Sequence, residues 1–140
     1  VTEKNEATDF TFDRSNMFER LMQADPSFRG EWEKFQDEWR NDEEAPLYLA
    51  LSELARHLIR NLEVGNTSRF GEVFGIVERW IVDGNGYVRE AAIVGLLEDL
   101  QNKSLHHKTN PDDFKPWLEP QSTIWWTKVD AFWENGKPLA

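Results

Sequence analysis

Asp83-Gly84-Asn85-Gly86-Tyr87-Val88-Arg89-Glu90-Ala91-Ala92-Ile93-Val94-Gly95-Leu96-Leu97-Glu98-Asp99-Leu100 is the stretch on which the fold turns. Asp-Gly and Asn-Gly mark a hairpin when they join alternating β-branched runs, but here they lie between two helical patterns. From Tyr87 to about Asn102 the apolar residues go nearly all the way round the helix. A helix with almost no polar face is enclosed by others, so this is expected to be the central element of an all-α protein. Ala91, Ala92 and Gly95 are small enough to let neighbouring helices approach closely.

Upstream, helical signals continue. Phe70, Val73, Phe74, Val77, Trp80 and Ile81 form one stripe behind a Thr67 or Ser68 cap, with Gly71 and Gly75 suited to close helix packing. Before it, Leu47, Leu51, Leu54, Ala55, Leu58 and Leu62 form another, stopped by Gly65. Asp25-Pro26 opens an earlier helix, the carboxylate as cap and the proline where its missing N–H costs nothing. Phe28, Trp32, Phe35 and Trp39 recur at intervals of four, three and four along it. Ser15 is the expected cap of a short helix to Gln23, and residues 1–14 read as a flexible or loosely docked N-terminal arm ahead of a single helical domain over 15–140.

Downstream, Asn110-Pro111 begins a short turn, and Glu119-Pro120 begins a last helix to about Asn135. There Trp125, Trp126, Val129, Phe132 and Trp133 share an arc of about 120°. The expected fold is therefore all-α: a compact helical bundle of about six helices with an aromatic-rich C-terminal helix that closes the core. Trp126 and Trp133, seven residues apart and in phase, should bury or expose together.

The stretch quoted first resembles a helix of a HEAT-type repeat, with its Asp, its Val-Arg-x-Ala-Ala run and its spaced leucines. That resemblance implies a HEAT-like core in which Arg89 pairs with a carboxylate at the turn, Asp83 being the candidate. It covers about 18 residues fully, or about 55 from the third helix to the fifth, so an extended solenoid of three or more repeats is not implied. Taken whole, through Tyr87–Asn102 and Trp125–Trp133, the chain also resembles an uncharacterised family of small acidic bacterial helical proteins, which brings no established activity with it.

The 140 residues carry a net charge of −10 and no cysteine. A thiol nucleophile, a disulfide framework and a thiolate zinc site are thereby excluded. No run reaches the roughly 18 apolar residues of a membrane span, and the first residues lack a secretory pattern, so a cytoplasmic address is expected. Residues 1–44 hold 13 Asp/Glu against 6 Lys/Arg. An acidic surface repels phosphate, so neither direct nucleic-acid binding nor a membrane partner is expected.

No phosphate loop, nucleophile elbow or metalloprotease motif is present. His57 has Glu53 four residues earlier, a spacing open to a metal pair or a tuned base. An ordinary helix-surface contact explains that spacing more simply, and His106 and His107 fall in a polar connection. The expectation is no enzyme, no cofactor and no metal.

What remains is binding. Aromatic anchors ringed by carboxylates suit a basic protein partner, and the candidate site comprises Trp32, Asp37, Glu38, Trp39, Asp42, Glu43 and Glu44, with Trp126 as a further anchor. The reading that follows is an immunity-type protein that neutralises a toxin-like effector by covering it. Two alternatives stand beside it: an acidic nucleic-acid mimic acting on a defence enzyme, and a structural or oligomerisation module.

Overall fold

The structure, a computed structural model, describes residues 11–42 and 44–135. Among them it is all-α. The helices are α1 (Met17–Ala24), α2 (Arg29–Glu38), α3 (Leu47–Glu63), α4 (Phe70–Asp83), a continuous α5 and α6 (Pro120–Asn135). Helix α5 begins as Gly86–Glu90, widens into a π-helix over Ala91–Leu97 and closes with Glu98–Leu100. Short 3-10 turns at Pro26–Phe28, Lys103–Leu105 and Pro111–Trp117 link the rest.

Helix α5 is the centre, as its sequence requires. It packs against α3, α4 and α6, and Val88, Ala91, Ala92, Leu96, Leu97 and Leu100 are fully enclosed. A Cβ on Gly95 would come within 3.0 Å of Leu51 Cδ1, so the missing side chain lets α3 and α5 meet. The π segment, which takes in an extra residue per turn, lies along this contact. Tyr48 on α3 donates to Glu90 at 3.3 Å, and burial together with the Glu90 charge pushes its phenol up to about 12.

Helix α6 is fixed by a buried carboxylate. Proline at its first position has no N–H, and the next two orphan donors, Gln121 N and Ser122 N, each reach Glu78 of α4 at 2.9 Å. Ser122 Oγ adds a third bond at 2.9 Å. The positive end of the helix dipole faces the same carboxylate. Glu78 thus closes the α6 N-terminus from a neighbouring helix.

Residues 1–10 of the N-terminal arm lie outside the described residues, and Thr11–Arg14 are docked. Thr11 N donates to Asp83 O at 2.9 Å and Asn85 N to Phe12 O at 3.0 Å, and Phe12 is only 2% exposed. Other sequence expectations need correction. Ser15 does not cap α1; Asp13 accepts from Ser15 N at 2.8 Å, and the helix begins at Met17. Neither Thr67 nor Ser68 caps α4 through its side chain. Asp83 pairs with Arg79 one turn earlier on α4, at 3.0 Å, and not with Arg89, whose guanidinium lies 5.7 Å from the Trp125 ring centre. Four residues along one helix bring Arg79 alongside Asp83, whereas Gly84 turns the chain away toward α5.

Gly71 faces open space, but a Cβ on Gly84 would press on Trp80 O and come within 2.6 Å of Val88 Cγ1. A Cβ on Gly75 would meet Glu119 Oε2 at 3.3 Å, so close approach occurs at Gly75 within α4 and more tightly at the α4–α5 corner, but not at Gly71. Gly84→Ala should lose about 1–3 kcal/mol, while Gly71→Ala should be neutral or gain up to about 1 kcal/mol; urea unfolding of the two variants measures the contrast. Glu78→Ala, which strands three donors, two of them buried, should cost roughly 3 kcal/mol in the same assay, and a loss within error of zero would show that α6 is held by apolar contacts alone.

Candidate functional site

Helix α2 is amphipathic, and its charge lies on the outside. Phe28 and Phe35 are buried, while Trp32 and Trp39 are half-buried against the core. Trp32 stacks on Phe18 with ring centres 4.2 Å apart and planes 13° from parallel, and Phe35 follows at 5.7 Å. This stack positions the helix and leaves part of each indole accessible.

Glu33, Asp37 and Glu38 are exposed on the helix, and Asp42 and Glu44 on the loop after it. Two of these are partly offset, Glu33 by Arg29 at 4.0 Å and Asp37 by Arg40. Asp42 accepts from Glu44 N at 2.9 Å, a bond that shapes the loop. Glu43 lies outside the described residues. Trp32, Asp37, Glu38, Trp39, Asp42 and Glu44 thus lie on one peripheral helix and its exit loop, the indoles packed against the core and the carboxylates exposed.

Trp126 does not belong with them. It is 2% exposed on a different helix, where its carbonyl accepts from Gln101 Nε2 at 2.8 Å. The exposed indole of α6 is Trp133, at 49%, so the two tryptophans do not share a fate. Helical phase sets the direction in which a side chain points; whether a wall stands there depends on what the helix packs against, and the same face of α6 is covered at Trp126 and Val129 but open at Phe132 and Trp133.

His57 has a different surrounding from the one its sequence neighbours suggest. Glu53 pairs with Arg56, while His57 Nε2 lies 3.1 Å from Asp25 Oδ2, 3.0 Å from Ser27 Oγ and 3.2 Å from Asn61 Nδ2. Serine, histidine and aspartate are thus in contact, but a relay needs the carboxylate and the hydroxyl on opposite ring nitrogens. Here both meet the same nitrogen, so the carboxylate cannot orient the ring toward the hydroxyl. Asp25 also accepts from Ser27 N at 3.1 Å, capping the turn that starts α2, and the cluster ties that turn to α3. Among the described residues no three His, Cys, Asp or Glu side chains gather as a metal site would require, and no helix is long and apolar enough to cross a membrane.

A feature the sequence reading missed is a cleft of about 660 Å³ between the connection after α5 and the end of α6. Asp112, Asp113, Asp130 and Glu134 line it, with Lys103 and Trp133. Its signal was present in the spacing Asp130, Trp133, Glu134, which places all three on one helix face. Nothing in the sequence shows that the 101–113 connection lies opposite.

Just before this cleft, burial and then the adjacent Asp99 charge raise the Glu98 carboxyl above its ordinary 4.5. The folded state thus disfavours the ionised form, so stability that is full below pH 4.5 falls as pH rises through the raised value. Glu98→Gln should melt higher than the parent at pH 7 and lose that advantage as pH drops below 4.5, which calorimetry across pH would read. A gain independent of pH would place the effect elsewhere.

Residues 18–134 match the family model described as Domain of unknown function (DUF7674). No curated protein and no solved structure matches the chain.

Proposed function

The chain belongs to the DUF7674 family, and on the geometry we propose that it is a non-catalytic protein-binding domain that receives a basic partner on α2 and the loop after it. The observation that carries this reading is the pairing of half-buried Trp32 and Trp39 with exposed Glu38, Asp42 and Glu44 on one peripheral element. Indoles give an interface its desolvated anchors. Carboxylates beside them steer a cationic surface into register and reject an anionic one.

The finer reading is an immunity-type protein of the bacterial cytoplasm, which neutralises a basic toxin-like effector by covering its working surface. Acidity supports it, as does the His57 cluster, whose hydrogen bonds hold a turn in place and leave no relay. An acidic nucleic-acid mimic would need carboxylates along an extended face at phosphate-like intervals. The acidic excess here is concentrated in residues 1–44, with 13 Asp/Glu against 6 Lys/Arg, which favours a local protein contact.

The test is affinity capture from the native host with the parent chain and with Asp37→Lys/Glu38→Lys/Glu44→Lys. All three side chains are exposed, so the variant should keep its melting temperature. The expected result is a basic protein retained by the parent, bound at least about tenfold more weakly by the variant (about 1.4 kcal/mol), and toxic to the host when expressed alone. Trp39→Ala should weaken the same complex by a similar factor. An unchanged complex in the charge-reversed variant would overturn the α2 site, and a captured partner harmless to the host would overturn the immunity reading.

A further inference from the structure

The cleft between the connection after α5 and the last turns of α6 is independent of the α2 reading. Its volume, about 660 Å³, falls within the roughly 300–1,000 Å³ of small-ligand sites. Four carboxylates line it against one lysine, but their duties differ. Asp113 accepts from Asn110 N at 2.9 Å, and Asp112 pairs with Lys115 at 3.5 Å. Among the described residues Asp130 and Glu134 have no ion pair.

Three further observations point toward a ligand with cationic N–H groups. Gln101 lines the cleft and is only 6% exposed; its amide nitrogen is engaged with Trp126 O, while its Oε1 has no hydrogen-bond partner. An enclosed acceptor left in this condition costs free energy that a donor would recover. Trp133 presents a half-exposed indole on the wall, which suits a cation or its apolar stem. Glu134 lies in the last turn of α6, where the helix carbonyls already carry partial negative charge and that turn itself holds no basic residue. Folding alone does not favour an acid there; a bound cation would.

The lining suits an organic cation and not a metal ion. Among the described residues the carboxylates do not gather in a set of three that could hold a metal, so the negative charge is distributed along the cleft. We propose that this cleft binds a flexible organic polycation, with two or more protonated amine or guanidinium groups joined by an apolar stem. The charged groups meet Asp130 and Glu134, the stem lies on Trp133, and Gln101 provides the neutral acceptor. Free polyamines and lysine- or arginine-bearing peptide segments share this chemistry.

Titration of the full chain with spermidine, and separately with a short peptide carrying two lysines, distinguishes the two sources. Calorimetry and tryptophan emission are followed at constant ionic strength. One saturable site is expected for at least one probe: tighter binding of spermidine assigns the site to a free polyamine, and tighter binding of the peptide assigns it to a basic segment. Asp130→Asn/Glu134→Gln should weaken the better probe about tenfold, and Trp133→Ala several-fold. Glu134→Gln alone, at an exposed position, serves if the double variant folds poorly. Asp37→Lys/Glu38→Lys should leave this affinity unchanged, so failure here and failure at α2 are told apart. The proposal is overturned if neither probe saturates, if sodium chloride at matched ionic strength reproduces the signal, or if the carboxamide variants bind as the parent does.

Discussion

The placement of the C-terminal third depends on one buried carboxylate. Glu78 is 5% exposed, and a polar group that deep is tolerated only when it is hydrogen-bonded. It meets that condition by accepting from two backbone N–H groups and one hydroxyl at the start of α6. Apolar packing alone would let α6 slide or rotate over α4 at small cost, because dispersion and burial are nearly non-directional. Three directed bonds to one side chain remove that freedom. They fix which residues of α6 face inward, and so Trp126 and Val129 enter the core while Trp133 emerges one turn beyond it.

The remaining elements are locked by similar combinations of apolar burial with a small number of directed bonds. Trp80 fills the space between α4 and α1, and its Nε1 donates to Met17 O at 3.0 Å, so the indole is satisfied at both its apolar and polar ends. The Phe12 strap joins the α4–α5 corner through backbone bonds. Asp25, Ser27, His57 and Asn61 do for α2 and α3 what Glu78 does for α4 and α6. In each case a few directed polar bonds join one element to the next, and the apolar stripes supply the adhesion without setting the register.

This division explains what was readable in the sequence. Stripes such as Phe70, Val73, Phe74, Val77, Trp80 and Ile81 report burial directly, and all six are buried; helix identity and the central position of α5 follow from the same periodicity. The caps that come from distant residues left no local pattern. Glu78 follows Val77 in the apolar run of α4 and looks there like an ordinary solvated glutamate, and Asp25 was legible as a cap but not as a partner of His57. The candidate site shows the same limit. Trp32, Asp37, Glu38, Trp39, Asp42 and Glu44 are close in sequence and so remained together, whereas Trp126 was assigned by phase alone and lies inside. The cleft needed two segments to meet across space, which neither segment announces.

The carboxylates also separate by what they do for folding. Asp13, Asp25, Glu78 and Asp113 each accept from backbone N–H groups, and such charge-assisted bonds stabilise the turn or helix end they close. Glu38, Glu44, Asp130 and Glu134 make no side-chain bond of that kind among the described residues, and Glu134 stands at the helix end where acid is electrostatically disfavoured. At physiological ionic strength screening extends over about 8 Å, so a net charge of −10 spread over the surface is a weak discriminator between partners. Recognition at contact range depends on which of these unengaged carboxylates lie beside groups that exclude water. At α2, with Trp32 and Trp39 on the same segment, and at the end of α6, with Trp133, such carboxylates share an element with partly exposed indoles, and this is why the two proposals rest on these places and not on the acidic composition as a whole.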